Sequence, residues 1–168
     1  MATGYIPLPA QAWNTTKDIG GTNASAQLEY FEGDSADPKG VYPRWKFIDT
    51  VDTHIQCTFH MPANYASGPV AILDWTSDAA TTATVQWAVR VIASSEGDDV
   101  ESNAPDNENT ATEACTTAQD LVQTTITCTN NDSVAADDLV TLILLRDAAD
   151  DLPNDVFLLS VMFTYTTT

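Results

Sequence analysis

Leu139-Val140-Thr141-Leu142-Ile143-Leu144-Leu145, then Arg146-Asp147-Ala148-Ala149-Asp150-Asp151, then the run from Val156 to Tyr165, is the stretch whose reading decides the fold. In the last run Phe157, Leu159, Val161, Phe163 and Tyr165 recur at every second position, the period of a strand with one buried face. The first run is apolar on both faces, which predicts an interior or interface strand. Two such strands joined by an acidic turn read as the closing hairpin of a β-sandwich. A chain whose final residues complete the core is expected to carry no downstream domain or anchor.

Working outward, the longest alternating run is Thr84 to Ser94, with Val85, Trp87, Val89, Val91 and Ala93 on one face and Gln86, Ala88, Arg90 and Ile92 on the other. Before it, Ala71, Leu73 and Trp75 alternate with Val70, Ile72 and Asp74. These two segments are expected to pair as a central antiparallel hairpin. Residues 45–49 and 53–60 also read as strands; in the second, Ile55, Cys57 and Phe59 alternate with His54, Gln56, Thr58 and His60. Ser67-Gly68-Pro69 reads as punctuation, Ala118 to Cys128 as a threonine-rich strand, and Asn130-Asn131-Asp132 as a turn. About eight strands with no helical period predict an all-β, antiparallel, two-sheet sandwich of jelly-roll type.

The first third has a different texture. Pro7, Pro9, Pro38, Pro43 and the Gly20-Gly21 pair interrupt short apolar pieces such as Tyr5-Ile6 and Leu28 to Phe31. This reads as an extended irregular arm over residues 1–44, attached to a sandwich domain over 45–168, and deleting the arm is expected to leave that domain folded. Residues 95–114 are polar and acidic, with no basic residue, and read as one long loop.

The chain has 168 residues and 43% hydrophobic composition, enough for one domain with a substantial core. Its formal net charge of −18 is set by 24 acidic residues against six basic ones, Lys17, Lys39, Arg44, Lys46, Arg90 and Arg146. Neutralising phosphates requires clustered Lys and Arg, so neither nucleic acid nor an anionic membrane is expected as a partner. No apolar run approaches the ~18 residues of a membrane span, and the N-terminus lacks the pattern of a secretory signal. Cys57, Cys115 and Cys128 cannot all pair within one chain and are expected as reduced thiols, although Cys115 and Cys128 would meet if their segments formed a hairpin.

No constellation for catalysis, cofactor binding or metal binding stands out. His54, Cys57 and His60 look like metal ligands on paper, but the odd offset turns Cys57 away from both histidines, which themselves lie roughly 20 Å apart along a strand. Asp98-Asp99, Asp137-Asp138 and Asp150-Asp151 are the best oxygen donors for calcium, yet they match no spaced ligand loop. There is no Gly-x-Ser-x-Gly. Trp75 and Trp87 fall in core phase rather than on a sugar-stacking platform. Asn14, Asn23 and Asn131 begin Asn-x-Ser/Thr sequences that matter only in a glycosylating host.

The order Phe59-His60-Met61-Pro62, Tyr65-x-x-Gly68, Asp74-Trp75-Thr76, Val85-Gln86-Trp87, the acidic loop, Asp137-Asp138-Leu139, Leu144-Leu145-Arg146-Asp147 and Phe163-Thr164-Tyr165 resembles small jelly-roll structural proteins of tailed bacteriophages. Leu8-Pro9-Ala10 and Trp13 are similar to that group as well. The resemblance implies a non-enzymatic virion component, made in the host cytoplasm. Its implied role is a capsid decoration or cement protein that binds the major capsid protein or another virion protein as a homo-oligomer, a trimer. Aromatic residues often dominate such contacts, and Trp13, Tyr42 and Trp45 are the expected interface anchors. The alternative is a carbohydrate-binding or host-attachment module of a head fibre or tail appendage, marked by exposed aromatics lining a groove.

Overall fold

The computed structural model describes residues 2–16, 24–34 and 39–168; Lys17, the Gly20-Gly21 pair, Asn23 and Pro38 lie outside them. The described residues form twelve strands: β1 Thr3–Pro9, β2 Asn14–Thr15, β3 Ala24–Ser25, β4 Gln27–Glu32, β5 Val41–Phe47, β6 Thr53–His60, β7 Tyr65–Ser77, β8 Thr84–Ser94, β9 Asn109–Ala114, β10 Val122–Thr127, β11 Leu139–Arg146 and β12 Val156–Thr167. They build two six-stranded sheets. The first runs β10-β7-β12-β5-β4 with β1 also on β12, and the second runs β2-β6-β11-β8-β9 with β3 also on β6. All pairings are antiparallel except the short parallel contact of β3 with β6. The fold is an all-β two-sheet sandwich of jelly-roll type.

In β7 and β8 the alternating patterns fall on the faces their periods imply. Val85, Trp87, Val89, Val91 and Ala93 point inward from the second sheet, and Ala71, Leu73 and Trp75 point inward from the first; all are buried. At the centre, Phe47 and Trp75 of the first sheet meet Trp87 of the second, edge-on, at centroid separations of 5.0 and 6.0 Å. Edge-to-face contact suits the opposite charges of ring face and ring rim. Trp75 Nε1 donates to Thr124 Oγ1 at 2.8 Å, so its polar atom is not stranded in the core.

Neither expected hairpin forms. β7 and β8 lie in opposite sheets, as do β11 and β12, so the links at residues 78–83 and 147–155 carry the chain across the sandwich instead of folding it back. Period two settles which face of a strand is buried and leaves its partner open, and here the partners are distant in sequence. β12 is flanked by β7 on one side and by β1 and β5 in succession on the other.

The N-terminal segment is not an arm. β1 pairs with β12 from Thr3↔Thr166 to Pro9↔Ser160, while β2 adds to β6 in the other sheet. The expected boundary at residues 44/45 falls inside β5. Prolines are tolerated in β1 because it is an edge strand: Pro7 and Pro9 share one parity, and their missing N–H groups face the unpaired side. Gly4 is required by close approach, since a Cβ there would collide with the ring of Tyr165. Ser67-Gly68-Pro69 does not end a strand either. Gly68 takes φ +67° inside β7, next to a register shift against β12, and so absorbs a bulge. Residues 109–114, expected as loop, form the edge strand β9 beside β8.

One buried cation joins the two sheets. Arg146, at the end of β11, has 0% exposure. Its Nε and Nη2 donate to the Asp150 carboxylate at 2.9 and 3.0 Å. Nη1 donates to the carbonyls of Asn154 (2.7 Å) and Phe47 (3.3 Å), and Nη2 also to that of Leu152 (2.7 Å). Phe47 belongs to the first sheet, so the guanidinium fastens the 147–155 crossover and the facing layer at once.

Candidate functional site

Sheet register creates a groove on the outer face of the first sheet. Phe31 of β4 stands opposite Tyr42 of β5, and Glu29 opposite Arg44. Lys46 stands opposite Phe157 of β12, which stands opposite Thr76 of β7. The same parity therefore sends Phe31, Tyr42, Arg44, Phe157 and Thr76 outward, away from the core. β12 adds a bulge between Leu158 and Ser160. The extra residue leaves Leu159 and Ser160 both on the outer face: Leu159 lines the groove, and Ser160 Oγ donates to Asp74 at 2.7 Å.

The groove encloses about 320 Å³ and is walled by Phe31, Tyr42, Leu121 and Leu159, with Asp34, Asp78 and Gln119 at its rim and Arg44 and Thr76 along its floor. That volume is at the small end of the range for small-molecule sites, which combine mostly apolar walls with a few polar groups. Tyr42 is 56% and Leu121 65% exposed. Large apolar side chains left in water on one face are the kind of surface that marks a binding site.

Arg44 is held in place on three sides. Its guanidinium carbon lies 3.5 Å from the Phe157 ring centroid and 4.5 Å from that of Phe31. Its Nε and Nη2 both donate to Glu29 Oε2 at 3.4 Å. The cation thus lies over two rings and is paired along its Nε/Nη2 edge, which stiffens the floor. Next along β5, Lys46 contacts Asp155 at 2.7 Å, and this hydrogen bond and charge raise its pKa above the ordinary lysine range. Thr76 is 9% exposed, and its hydroxyl is buried with no hydrogen-bond partner among the described residues. Buried hydroxyls normally find a partner, so Thr76 is a polar atom without one at the base of the groove.

The expected anchors separate. Tyr42 is in the groove, but Trp13 and Trp45 are each 3% exposed and belong to the core. Trp13 Nε1 donates to the Leu8 carbonyl at 3.3 Å and Trp45 Nε1 to that of Ala10 at 2.7 Å, which pins the segment after β1 beneath the sheet. Tyr42 and Trp45 are an odd number of residues apart on one strand and cannot share a face. The groove residues missed from sequence are Phe31, Asp34, Arg44, Thr76, Asp78, Gln119, Leu121 and Leu159. For Phe31 the signal was present, in its place opposite Tyr42 across a short hairpin.

The acidic loops serve as caps. Asp132 accepts from the Ala93 N–H at 2.9 Å and Asp98 from that of Ser95 at 2.8 Å. Asp138 takes both the Ser95 hydroxyl and the Ala135 N–H at 2.7 Å. No group of three or more His, Cys, Asp or Glu among the described residues is placed to hold a metal ion. The three cysteines are free and buried. Cys115 and Cys128 follow strands of opposite sheets, so no hairpin brings them together. Burial raises the pKa of Cys57, and lifts that of Cys128 to about 11.

No protein-family model matches the chain. No curated protein sequence matches it either. Solved structures do share its fold. A carbohydrate-binding module specific for non-crystalline cellulose, CBM28, is similar over 91% of this chain and 88% of its own, with 13% identity and a TM-score of 0.53. The mosquito-larvicidal Cry4Aa toxin from Bacillus thuringiensis is similar over 99% of this chain, with 13% identity and a TM-score of 0.55. An arabinose-bound α-L-arabinofuranosidase, MgGH51, is similar over 95% of this chain, with 11% identity and a TM-score of 0.52. This chain spans only 24% of the length of each of the latter two. At such identities the likeness is one of fold.

Proposed function

We propose that this protein is a non-enzymatic carbohydrate-binding module of the host-attachment class. The observation that carries the reading is the groove, in which aromatic and aliphatic walls and a hydroxyl on the outer sheet face converge with carboxylate and amide groups from the adjoining loops. A sugar ring presents an apolar face edged by hydroxyls, and such a mixed wall complements both. Tyrosine suits this task because its ring stacks while its hydroxyl stays solvated. A carbohydrate-binding module of comparable size uses a similar sandwich, and that likeness is compatible with the reading without carrying it. A setting on a bacteriophage particle, as part of a head fibre or tail appendage, rests on the sequence resemblance. The capsid-decoration reading rests on the same resemblance; of the interface anchors expected with it, Trp13 and Trp45 are core residues.

The test is calorimetric titration of the full chain with a panel of oligosaccharides, repeated with Tyr42→Ala. Tyr42 is more than half exposed, so its truncation leaves stability within about 0.5 kcal/mol. It is expected to weaken binding by at least tenfold, as loss of an aromatic anchor does. Binding that is unchanged in Tyr42→Ala overturns the assignment of the groove.

A further inference from the structure

We infer that the groove takes an uncharged, hydroxyl-donating oligosaccharide and excludes acidic ones such as uronate or sulfated chains. This rests on the carbohydrate-binding reading above and deepens it to a ligand class.

The argument begins with the cation. Arg44 is the basic residue of the groove, and a guanidinium beside aromatic rings normally suggests an acidic ligand. Here its central carbon lies over the rings of both Phe31 and Phe157, and its Nε and Nη2 are paired with Glu29. Lys46, next on the same face of β5, is neutralised by Asp155. Each cation already has a carboxylate partner within the protein. The rim carries the opposite charge: Asp34 and Asp78 are exposed and form no salt bridge among the described residues. A carboxylate or sulfate entering between them meets like charge, inside a molecule whose net charge is already −18.

Hydrogen-bond chemistry points the same way. Ionised Asp34 and Asp78 only accept, Gln119 accepts and donates, and the Thr76 hydroxyl lacks a partner. A neutral sugar supplies hydroxyl donors to the two carboxylates and the Gln119 carbonyl, whereas an acidic group brings only further acceptors to Asp34 and Asp78. The unpartnered and nine-tenths buried Thr76 is the second sign that a ligand completes this site, independent of the charges at the rim.

The experiment compares neutral oligosaccharides of glucose, mannose, xylose and galactose with oligogalacturonate and a sulfated galactan oligomer, by titration at low and high salt. It uses the wild type, the Asp34→Asn/Asp78→Asn double variant, and an Asp98→Asn/Asp99→Asn control that changes net charge equally at a distant loop. A neutral oligomer is expected to bind wild type with affinity nearly independent of salt, and the acidic oligomers to bind at least tenfold more weakly at low salt. Removing the two rim charges is expected to strengthen acidic-oligomer binding on the order of tenfold, with little change in the control. Acidic oligomers binding wild type as well as neutral ones do, or equal gains in rim and control variants, would overturn this inference and leave the carbohydrate-binding reading standing. If no oligosaccharide binds at all, both fall.

Discussion

Replacing Arg146 by Met keeps the volume of its stem and removes the guanidinium that holds the crossover between β11 and β12. The arginine and Asp150 side chains are 0% and 1% exposed, so the substitution strands a carboxylate out of water. It also strips the Phe47, Leu152 and Asn154 carbonyls of a charged donor. Removing one partner of a buried pair costs about 3–5 kcal/mol, the largest single-site effect expected outside the tryptophan core. In a domain of this size each kcal/mol lowers Tm by about 2–4 °C, so a fall of roughly 6–20 °C is expected. Urea unfolding followed by tryptophan fluorescence reads the loss, because Trp75 and Trp87 are fully buried and report the core directly. The second arm is Asp150→Leu, alone and with Arg146→Met. Asp150 also caps the Gln86 and Leu152 N–H groups, so the double variant recovers only part of the loss, with a coupling energy of about 2 kcal/mol. A cost below 1 kcal/mol for Arg146→Met, or no coupling in the cycle, would refute the claim that this ion pair fastens the two sheets.

Deleting residues 1–44 removes β1 from the side of β12, Trp13 from the core and half of β5; the truncated chain is expected to lose cooperative thermal unfolding, and a sharp transition near the full-length Tm would contradict that. Burial holds the Cys128 thiol at about 11 against an ordinary 9.0, so the unfolded chain ionises it first as pH rises. Its contribution to stability is intact below pH 9 and is lost between about 9 and 11, by up to about 3 kcal/mol. Comparing urea midpoints at pH 8 and pH 10.5 for wild type and Cys128→Ala isolates this from other titrations, and equal alkaline losses in the two proteins would count against it.

Strand faces were legible because alternation survives wherever one side of a strand is wet. Thr84 to Ser94 and Val70 to Thr76 carry that pattern plainly, and the structure buries the faces it implies. Partners were not legible. The same alternation fits a hairpin or a crossover, and in a sandwich whose chain repeatedly changes sheets the adjacent strands are far apart in sequence. β1 was hidden for a different reason: two prolines within seven residues argue against a strand unless it lies at an edge with those positions facing outward, which sequence does not disclose. For the site, Tyr42 is among the expected interface anchors, but so is Trp45, although strand parity sends the two to opposite faces. Phe157 and Leu159 both read as core residues because an uninterrupted period through β12 implies it, and the bulge between Leu158 and Ser160 that turns both outward is a tertiary feature with no local sequence signal.

β1 and β12 run antiparallel with their outer ends at the same pole, where the Ala2 carbonyl meets the Thr167 N–H. Tension applied to both ends of the chain would therefore act along the inter-strand bonds rather than across them. The pair would open like a zipper, one bond after another, and yield at low force. Held through a single end, the same sandwich would carry load without engaging that seam, so the way it is tethered governs how hard it can be pulled before it unfolds.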